Sequence, residues 1–412
     1  MHVEEKLPVS AATQRFEQMR SRILDAASTL INQHGIKGMT LADVGQIVGL
    51  NTTSVTYYFK RKDLLAAAVF EHSIGRLEAM VAEASAEADP RARVAAYLKL
   101  NFDLRARVRE GSDRPITVLS DMRAMAEPLR TTLVGRYQIV FRLIREFFGP
   151  AKTDTARALR TVRAHVLIEN IFWLPAWLHL YSIGDFDRVR ARLFEIFDHG
   201  IAVKGAAWAP DMLEARPEIA AGPDAGYESF LHAATRLINE RGYRGASVER
   251  IASELNVTKG SFYHHLEAKD DLVLDCFRRS YSRASLVQRA ADRTGGDQWH
   301  RLSSAIATLL DVQFSGPYPL LRTTAFQALP SDLRGDVLER SNRMARRFAG
   351  TMIDGISEGS IRAIDPLIAS QAVMAMLDAA YDLRSWASAL PDGVAVAYYA
   401  STLATGLFDD PS

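Results

Sequence analysis

Slid along itself by 207 positions, this sequence meets itself. Ala26, Ala27, Leu30, Ile31, Asn32, Gly35 and Gly38 fall on Ala233, Ala234, Leu237, Ile238, Asn239, Gly242 and Gly245. Ser54, Lys62, Asp63 and Leu65 fall on Ser261, Lys269, Asp270 and Leu272 without a gap. At a shift of 209, Trp177 falls on Trp386, each inside a long apolar helical pattern followed by a turn signal and a final helix. A repeat constrains the fold more than composition does, because each copy has to build the same structural unit. The 412 residues therefore divide into two units, each of about 200 residues, an ordinary length for a domain or two. Between them, 209–226 holds three prolines and two glycines with little apolar periodicity. It reads as a linker.

The pattern elsewhere is helical. Apolar residues recur at spacings of three and four over 22–34, 63–87, 91–110, 129–148, 153–182 and 186–207, and nowhere alternate long enough for a sheet. An all-α fold is expected. Hydrophobic residues at 48% and charged residues at 24% are globular values and exclude a largely disordered chain. A single cysteine, Cys276, excludes a disulfide framework and multi-cysteine metal sites, and it fits a reducing, cytoplasmic setting. The start has acidic residues and no apolar run, so no signal peptide is expected. The stretch 165–181 is interrupted by Glu169, Asn170 and two histidines, so no membrane span is expected. The formal charge of +1 means that any basic surface for nucleic acid must be local.

Each copy opens with the same local grammar. Residues 22–34 place Ile23, Ala26, Ala27, Leu30 and Ile31 on one face, and Gly35 ends the helix. Thr40 follows as an N-cap, then a short helix, then Gly49-Leu50-Asn51, then a second short helix. A helix-turn-helix needs a residue tolerant of left-handed backbone in its turn; Gly49 supplies it in the first copy and Asn256 in the second. Leu50 and Val257 are expected to point inward, and Asn51 and Thr258 to cap the second helix.

On these residues the sequence resembles the DNA-binding module of the TetR family of transcriptional regulators. Residues 247–272, SVERIASELNVTKGSFYHHLEAKDDL, carry the resemblance most fully, departing at Asn256 and Leu266. Residues 40–65, TLADVGQIVGLNTTSVTYYFKRKDLL, are similar and depart at Val44, Gly45, Thr53 and Thr56. The resemblance implies two all-α units, each a three-helix DNA-binding domain followed by a helical core. It places them at 16–76 and 77–208, then a linker at 209–223, then 224–284 and 285–412. It also implies a double-stranded DNA operator as partner and a small-molecule inducer.

A recognition helix puts its first residues near base edges while hydroxyls, amides and cations hold phosphates. The candidates for base edges are Thr52, Thr53 and Ser54 in the first copy and Lys259, Gly260 and Ser261 in the second. Those for the backbone are Thr40, Thr56, Tyr57, Tyr58 and Lys62, and Ser247, Tyr263, His264, His265 and Lys269. Residues 15–65 hold seven Lys/Arg against four acids, and 227–272 six against seven. The first copy should therefore give more affinity and the second more base discrimination. Phe59 is expected inside, and since the adjacent Tyr57 and Tyr58 cannot both point inward, at least one of their hydroxyls is expected to be exposed. Adjacent His264 and His265 diverge on a helix, so no metal site is expected. No cofactor motif, nucleophile elbow, zinc-protease motif or P-loop is present, and no catalytic residue is assigned.

For the ligand, Met122, Met125 and Phe141 offer adaptable and aromatic lining, and Glu169, Asn170 and His179 are polar candidates on an apolar helix that Pro175 interrupts. The same stripe also fits plain core. Residues 366–390 have fewer polar interruptions and fit pairing. The reading is a ligand-responsive repressor with two reading heads; the alternative is a ligand-binding or scaffold protein of the same fold that no longer binds DNA. The two copies are expected to pair through 153–207 and 365–408, near Trp177 and Trp386, as an intrachain pseudo-dimer. A homodimer of two chains is the other arrangement.

Overall fold

The computed structural model describes residues 11–214, 225–258, 260, 269–322 and 331–410. Over these the chain is helical with no strand, apart from an isolated antiparallel bridge between Ala202 and Ile361. The first copy runs α1 (Ala11–Gly38), α2 (Leu41–Val48), α3 (Thr52–Tyr58), α4 (Lys62–Ser85), α5 (Pro90–Arg109), α6 (Leu129–Glu146), α7 (Asp154–Trp177) and α8 (Phe186–His199). The second runs α9 (Ala225–Gly245), α10 (Val248–Glu254), α11 (Lys269–Ala291), α12 (Gln298–Phe314), α13 (Ser331–Glu358), α14 (Pro366–Ala379), the single turn α15 (Arg384–Ala387) and α16 (Val394–Ala404). The chain is thus all-α, one helical unit in tandem.

Helices begin where a short polar side chain takes an orphan N–H. Thr40, Asn51, Asp89 and Thr153 accept from the N–H groups of Asp43, Ser54, Ala92 and Ala156. Ser247, Asp297 and Asp365 do the same in the second copy. The matching glycines break the first helix of each copy, Gly35 at φ 64, ψ −178 and Gly242 at φ 73, ψ 164. Only glycine is at ease in that region of the backbone map.

The centre of the molecule is where the copies meet. In α7, Val162 to Ile168 are buried without interruption, as are Ile368 to Leu377 in α14. A helix apolar on all sides belongs inside a bundle, and α7 packs on α14 and α16 while α8 packs on α14. Polar groups are matched across the junction: Trp173 Nε1 donates to Gln371 Oε1 at 3.0 Å, and His165 Nδ1 and the Tyr399 hydroxyl share a hydrogen bond of 2.9 Å. After α8 the backbone itself crosses. The N–H groups of Ile201 and Ala202 donate to the carbonyls of Leu403 and Ala404 at 2.8 and 3.0 Å, and Leu407 N–H donates back to Phe197 at 2.7 Å.

This crossing corrects one expectation. The last helix of the first copy stops at His199 rather than 207, because Gly200 turns out at φ 71 and lies so close to the second copy that a Cβ there would sit 2.3 Å from the Ala404 carbonyl oxygen. Trp177 and Trp386 pack within their own copies, on Tyr181 and Phe314; Trp173 is the tryptophan that bonds across. The stretch after 209 starts as docked chain, with Asp211 N–H on Ser304 Oγ (2.9 Å) and Leu213 N–H on Thr308 Oγ1 (3.0 Å). Residues 215–223 of the expected linker lie outside the described residues. Cys276 is buried, and burial pushes its thiol up to about 12, as suits a small core residue. No helix among the described residues is long and apolar enough to cross a membrane.

Candidate nucleic-acid interface and interior cavity

In the first copy, α2 and α3 meet at Gly49, which takes the left-handed conformation (φ 74, ψ 32). Leu50 N–H donates to Gly45 O at 2.8 Å, and a Cβ on Gly45 would lie 2.6 Å from Leu50 O, so the turn presses directly on α2. Asn51 Oδ1 accepts from Ser54 N–H at 2.7 Å and fixes the start of α3. Val55 and Phe59 face the core, with Arg20 over the Phe59 ring, leaving Thr52 and Thr53 exposed and Ser54 and Thr56 half-buried. Thr56 Oγ1 donates to Thr53 O at 2.7 Å. Tyr57 is 75% exposed, whereas Tyr58 stacks on Phe16 at 4.8 Å.

The cations beyond α3 are partly engaged. Lys62 Nζ donates to Lys37 O at 2.9 Å, which aims its ammonium beside the end of α1. Arg61 pairs with Asp63 at 2.6 Å, while Lys37 and Lys60 are exposed. Thr40 both caps α2 and donates to Asp43 Oδ2 at 2.7 Å.

In the second copy Asn256 turns the chain at φ 53, the only non-glycine with positive φ among the described residues. Ser247 caps α10 through Arg250 N–H. Val257 departs from its expected inward position: it is 38% exposed, and Leu255, ahead of the left-handed turn, packs on the core instead. Gly260 is exposed. Lys259, Ser261, Tyr263, His264 and His265 lie outside the described residues, as does the side chain of Lys269.

The two reading segments are tied to their cores by one device used twice. Asn32 Oδ1 accepts from Val118 N–H and Asn239 Oδ1 from Arg322 N–H, each at 2.9 Å. One residue earlier, Thr117 N–H donates to Ser73 Oγ (3.2 Å) and Leu321 N–H to Ser280 Oγ (2.8 Å). In each copy, then, a loop is clasped between the first helix (α1, α9) and the long helix that carries Ser73 or Ser280 (α4, α11). The Asn32/Asn239 identity is visible in the repeat; its purpose is visible only once the loops are folded.

Behind the first clasp lies a cavity of about 830 Å³. Met122, Phe141, Glu169 and His179 line it, as does Pro175 close to the end of α7. Met125 and Asn170 do not: Met125 is buried in the core, and Asn170 turns its amide onto the Val166 carbonyl of its own helix. The residues that sequence reasoning missed are charged. Arg105, Arg109, Arg123, Arg322, Arg334 and Asp382 also line the space, the last three with Asn239 from the second copy.

Asp382 Oδ1 accepts from Arg322 at 2.5 Å and from Arg123 at 3.3 Å. Burial opposes the Asp382 charge, but the two guanidiniums outweigh it and hold the carboxyl below its usual range. Burial raises Glu169 to about 7 and lowers His165 to about 4. Ligand atoms of His165, Glu169 and Asp382 lie within 4.8 Å of one another. A cation there would compete with two guanidiniums already on Asp382, so the trio fits an ion-pair network better than a metal site.

The first copy has the geometry of a helix-turn-helix backed by a helical core. The second has the first helix and the left-handed turn of the same motif among its described residues, which defines the class: a helix-turn-helix protein. Residues 23–69 and 230–276 match the family of bacterial regulatory proteins, tetR family. Each copy thus carries one segment that matches this family, at corresponding positions of the repeat. Over 90 residues, 21% of this chain and 46% of the relative, it is 38% identical to the HTH-type transcriptional regulator BetI of Paraburkholderia phymatum. Over 86 residues, 21% of this chain and 43% of the relative, it is 33% identical to the Transposon Tn10 TetC protein of Escherichia coli. The chain thus spans less than half the length of these curated relatives. Among solved structures, it is similar to the TetR family regulator PfmR of Thermus thermophilus, at 22% identity and a TM-score of 0.35, covering 42% of this chain and 96% of that one.

Proposed function

We propose that this protein is a DNA-binding transcriptional regulator, a repressor relieved by a small molecule, which works in the cytoplasm and has no catalytic role of its own. The observation that carries the reading is α3: a helix fixed at its start by Asn51, held from behind by Val55 and Phe59, and offering Thr52, Thr53 and Tyr57 outward. That is the presentation a major-groove reader needs. The names of the relatives support it, as does the family of both segments.

Within this reading, domains 16–76 and 224–284 read DNA, and cores 77–208 and 285–412, joined by 209–223, hold them as an intrachain pseudo-dimer. Thr40, Thr56, Tyr57, Tyr58, Lys62 and, in the second copy, Ser247, Tyr263, His264, His265 and Lys269 take phosphates; Thr52, Thr53, Ser54, Lys259, Gly260 and Ser261 face bases. The test is a salt titration of retention on duplex DNA. Affinity should fall steeply with salt as phosphate contacts release counterions. Retention that ignores salt, or none at low salt, rejects the reading.

A further inference from the structure

The cavity has more positive charge than its own walls neutralise. Arg105 and Arg109 stand one turn apart on α5 and both line it. Arg105 donates to Asn101 O (2.9 Å), Asn101 Oδ1 (3.3 Å) and Ile171 O (2.6 Å). Arg109 donates to the carbonyls of Tyr181 (2.6 Å) and His179 (2.9 Å). All these acceptors are neutral, and neither arginine forms an ion pair among the described residues. The lining carboxylates are engaged elsewhere: Asp382 by Arg123 and Arg322, Asp121 by the N–H of Ile36 at 3.3 Å. Glu169 sits in the Asp382 cluster. A cation withdrawn from water without a counter-charge is costly, and burial draws Arg105 down to about 10.

Around these groups the lining is apolar, with Leu104, Val108, Tyr137, Phe141, Ile168 and Phe172 among it. The far wall belongs to the other copy, through Asn239, Arg322 and Asp382. The second copy has no equivalent arginine. Counting on by anything from 204 to 207 positions, the range by which its clasp and its reading segment are offset, Arg105 falls on Leu309, Leu310, Asp311 or Val312. The second cavity found among the described residues is about 280 Å³ and lies elsewhere, beside Arg279, Arg283 and Arg289.

We propose that the large cavity takes one anionic, largely apolar small molecule per chain, with Arg105 as its counter-charge and the second copy closing the site. The inference rests on the regulator reading for its purpose, since it names the class of effector. Arg105 is the residue that decides between an anion and a neutral or cationic ligand of the same shape, because its charge is otherwise unmatched.

The test is calorimetric titration of the full chain with three probes of equal length: octanoate, octan-1-ol and octylamine. Octanoate is expected to bind at one per chain and at least tenfold more tightly than octylamine. Arg105→Gln should lose tenfold or more toward octanoate and bind octan-1-ol as before, while Arg105→Lys keeps the preference for the anion. Equal affinity for all three, a preference for octylamine, no binding of octanoate or two octanoates per chain overturns the proposal on wild-type protein alone, whatever the variants do. DNA retention at low salt, measured on the same preparation without probe, separates the two readings. Its loss rejects the regulator, whereas its persistence beside an unselective cavity rejects only the anion site.

Discussion

Glu169 is a carboxyl placed where ionising it is costly. It faces Tyr137 from α6, His165 on its own helix, Arg123 from the loop before α6, and Arg322, Asp382 and Tyr399 from the second copy. His165, lowered to about 4, stays neutral near neutral pH, and the arginines and Asp382 keep their charges, so Glu169 is the member that titrates near 7. Its folded value lies above the ordinary 4.5, so the folded state binds the extra proton in between, and stability falls as pH rises from about 5 through 7. Glu169→Gln should flatten that fall, on the order of 2 kcal/mol, in urea melts at pH 5.5 and 8; an unchanged difference between the two pH values refutes it. An anion in the cavity should also bind more weakly at pH 8 than at pH 6, as Glu169 ionises beside it. Sequence reasoning found Glu169 because an acid on an apolar helix stands out. It did not single out Arg105, one of five arginines over 91–110; what distinguishes Arg105 is that no acid pairs with it among the described residues, which is a tertiary fact.

At the scale of elements, the helix-turn-helix of the first copy depends on a missing side chain. Gly45 stands where the second copy has Ala252, and both carbonyls accept the same turn bond, from Leu50 and Val257 N–H. In the first copy the turn has closed over the glycine, so Gly45→Ala should displace Leu50 and cost about 1–3 kcal/mol, although alanine is the better helix former. Faster hydrogen exchange across α3 and weaker DNA retention should accompany it, and a variant that melts and exchanges like wild type contradicts the packing argument. The helices themselves were legible, since apolar spacing, caps and glycine stops are local signals. The end of α8 was not. The pattern over 186–207 continues past His199, and only the approach of Ala404, from the other end of the chain, requires the break at Gly200. Val257 is 38% exposed although Leu50, after the matching left-handed Gly49, packs on the core, a difference between the copies that residue spacing does not register.

For the whole molecule, the buried helices α7 and α14 and the crossed backbone at Gly200 predict a particle of one chain. Light scattering at low micromolar concentration should give the mass of a single chain, alone and on DNA. Fragments selected from random DNA should have unlike half-sites, because the sequences at 52–58 and 259–265 have only Ser54 and Ser261 in common. A dimer with a strictly palindromic site would overturn the pseudo-dimer. The repeat made the duplication legible from the first alignment. It did not reveal that one copy holds a large cavity walled by both, since that depends on how the copies face.

The crossing after α8 has a further consequence. Where two separate chains must meet before they can read an operator, their assembly is second order, and halving the number of molecules in a cell shifts the balance toward inactive halves. Here the N–H groups of Ile201 and Ala202 are bonded to carbonyls of the same polypeptide, so the halves cannot be diluted apart. Under the proposed intrachain pairing, a defective copy made from another gene does not replace one of them either. The working unit should hold its composition at a few molecules per cell, and a damaged allele should be recessive rather than poison its neighbours.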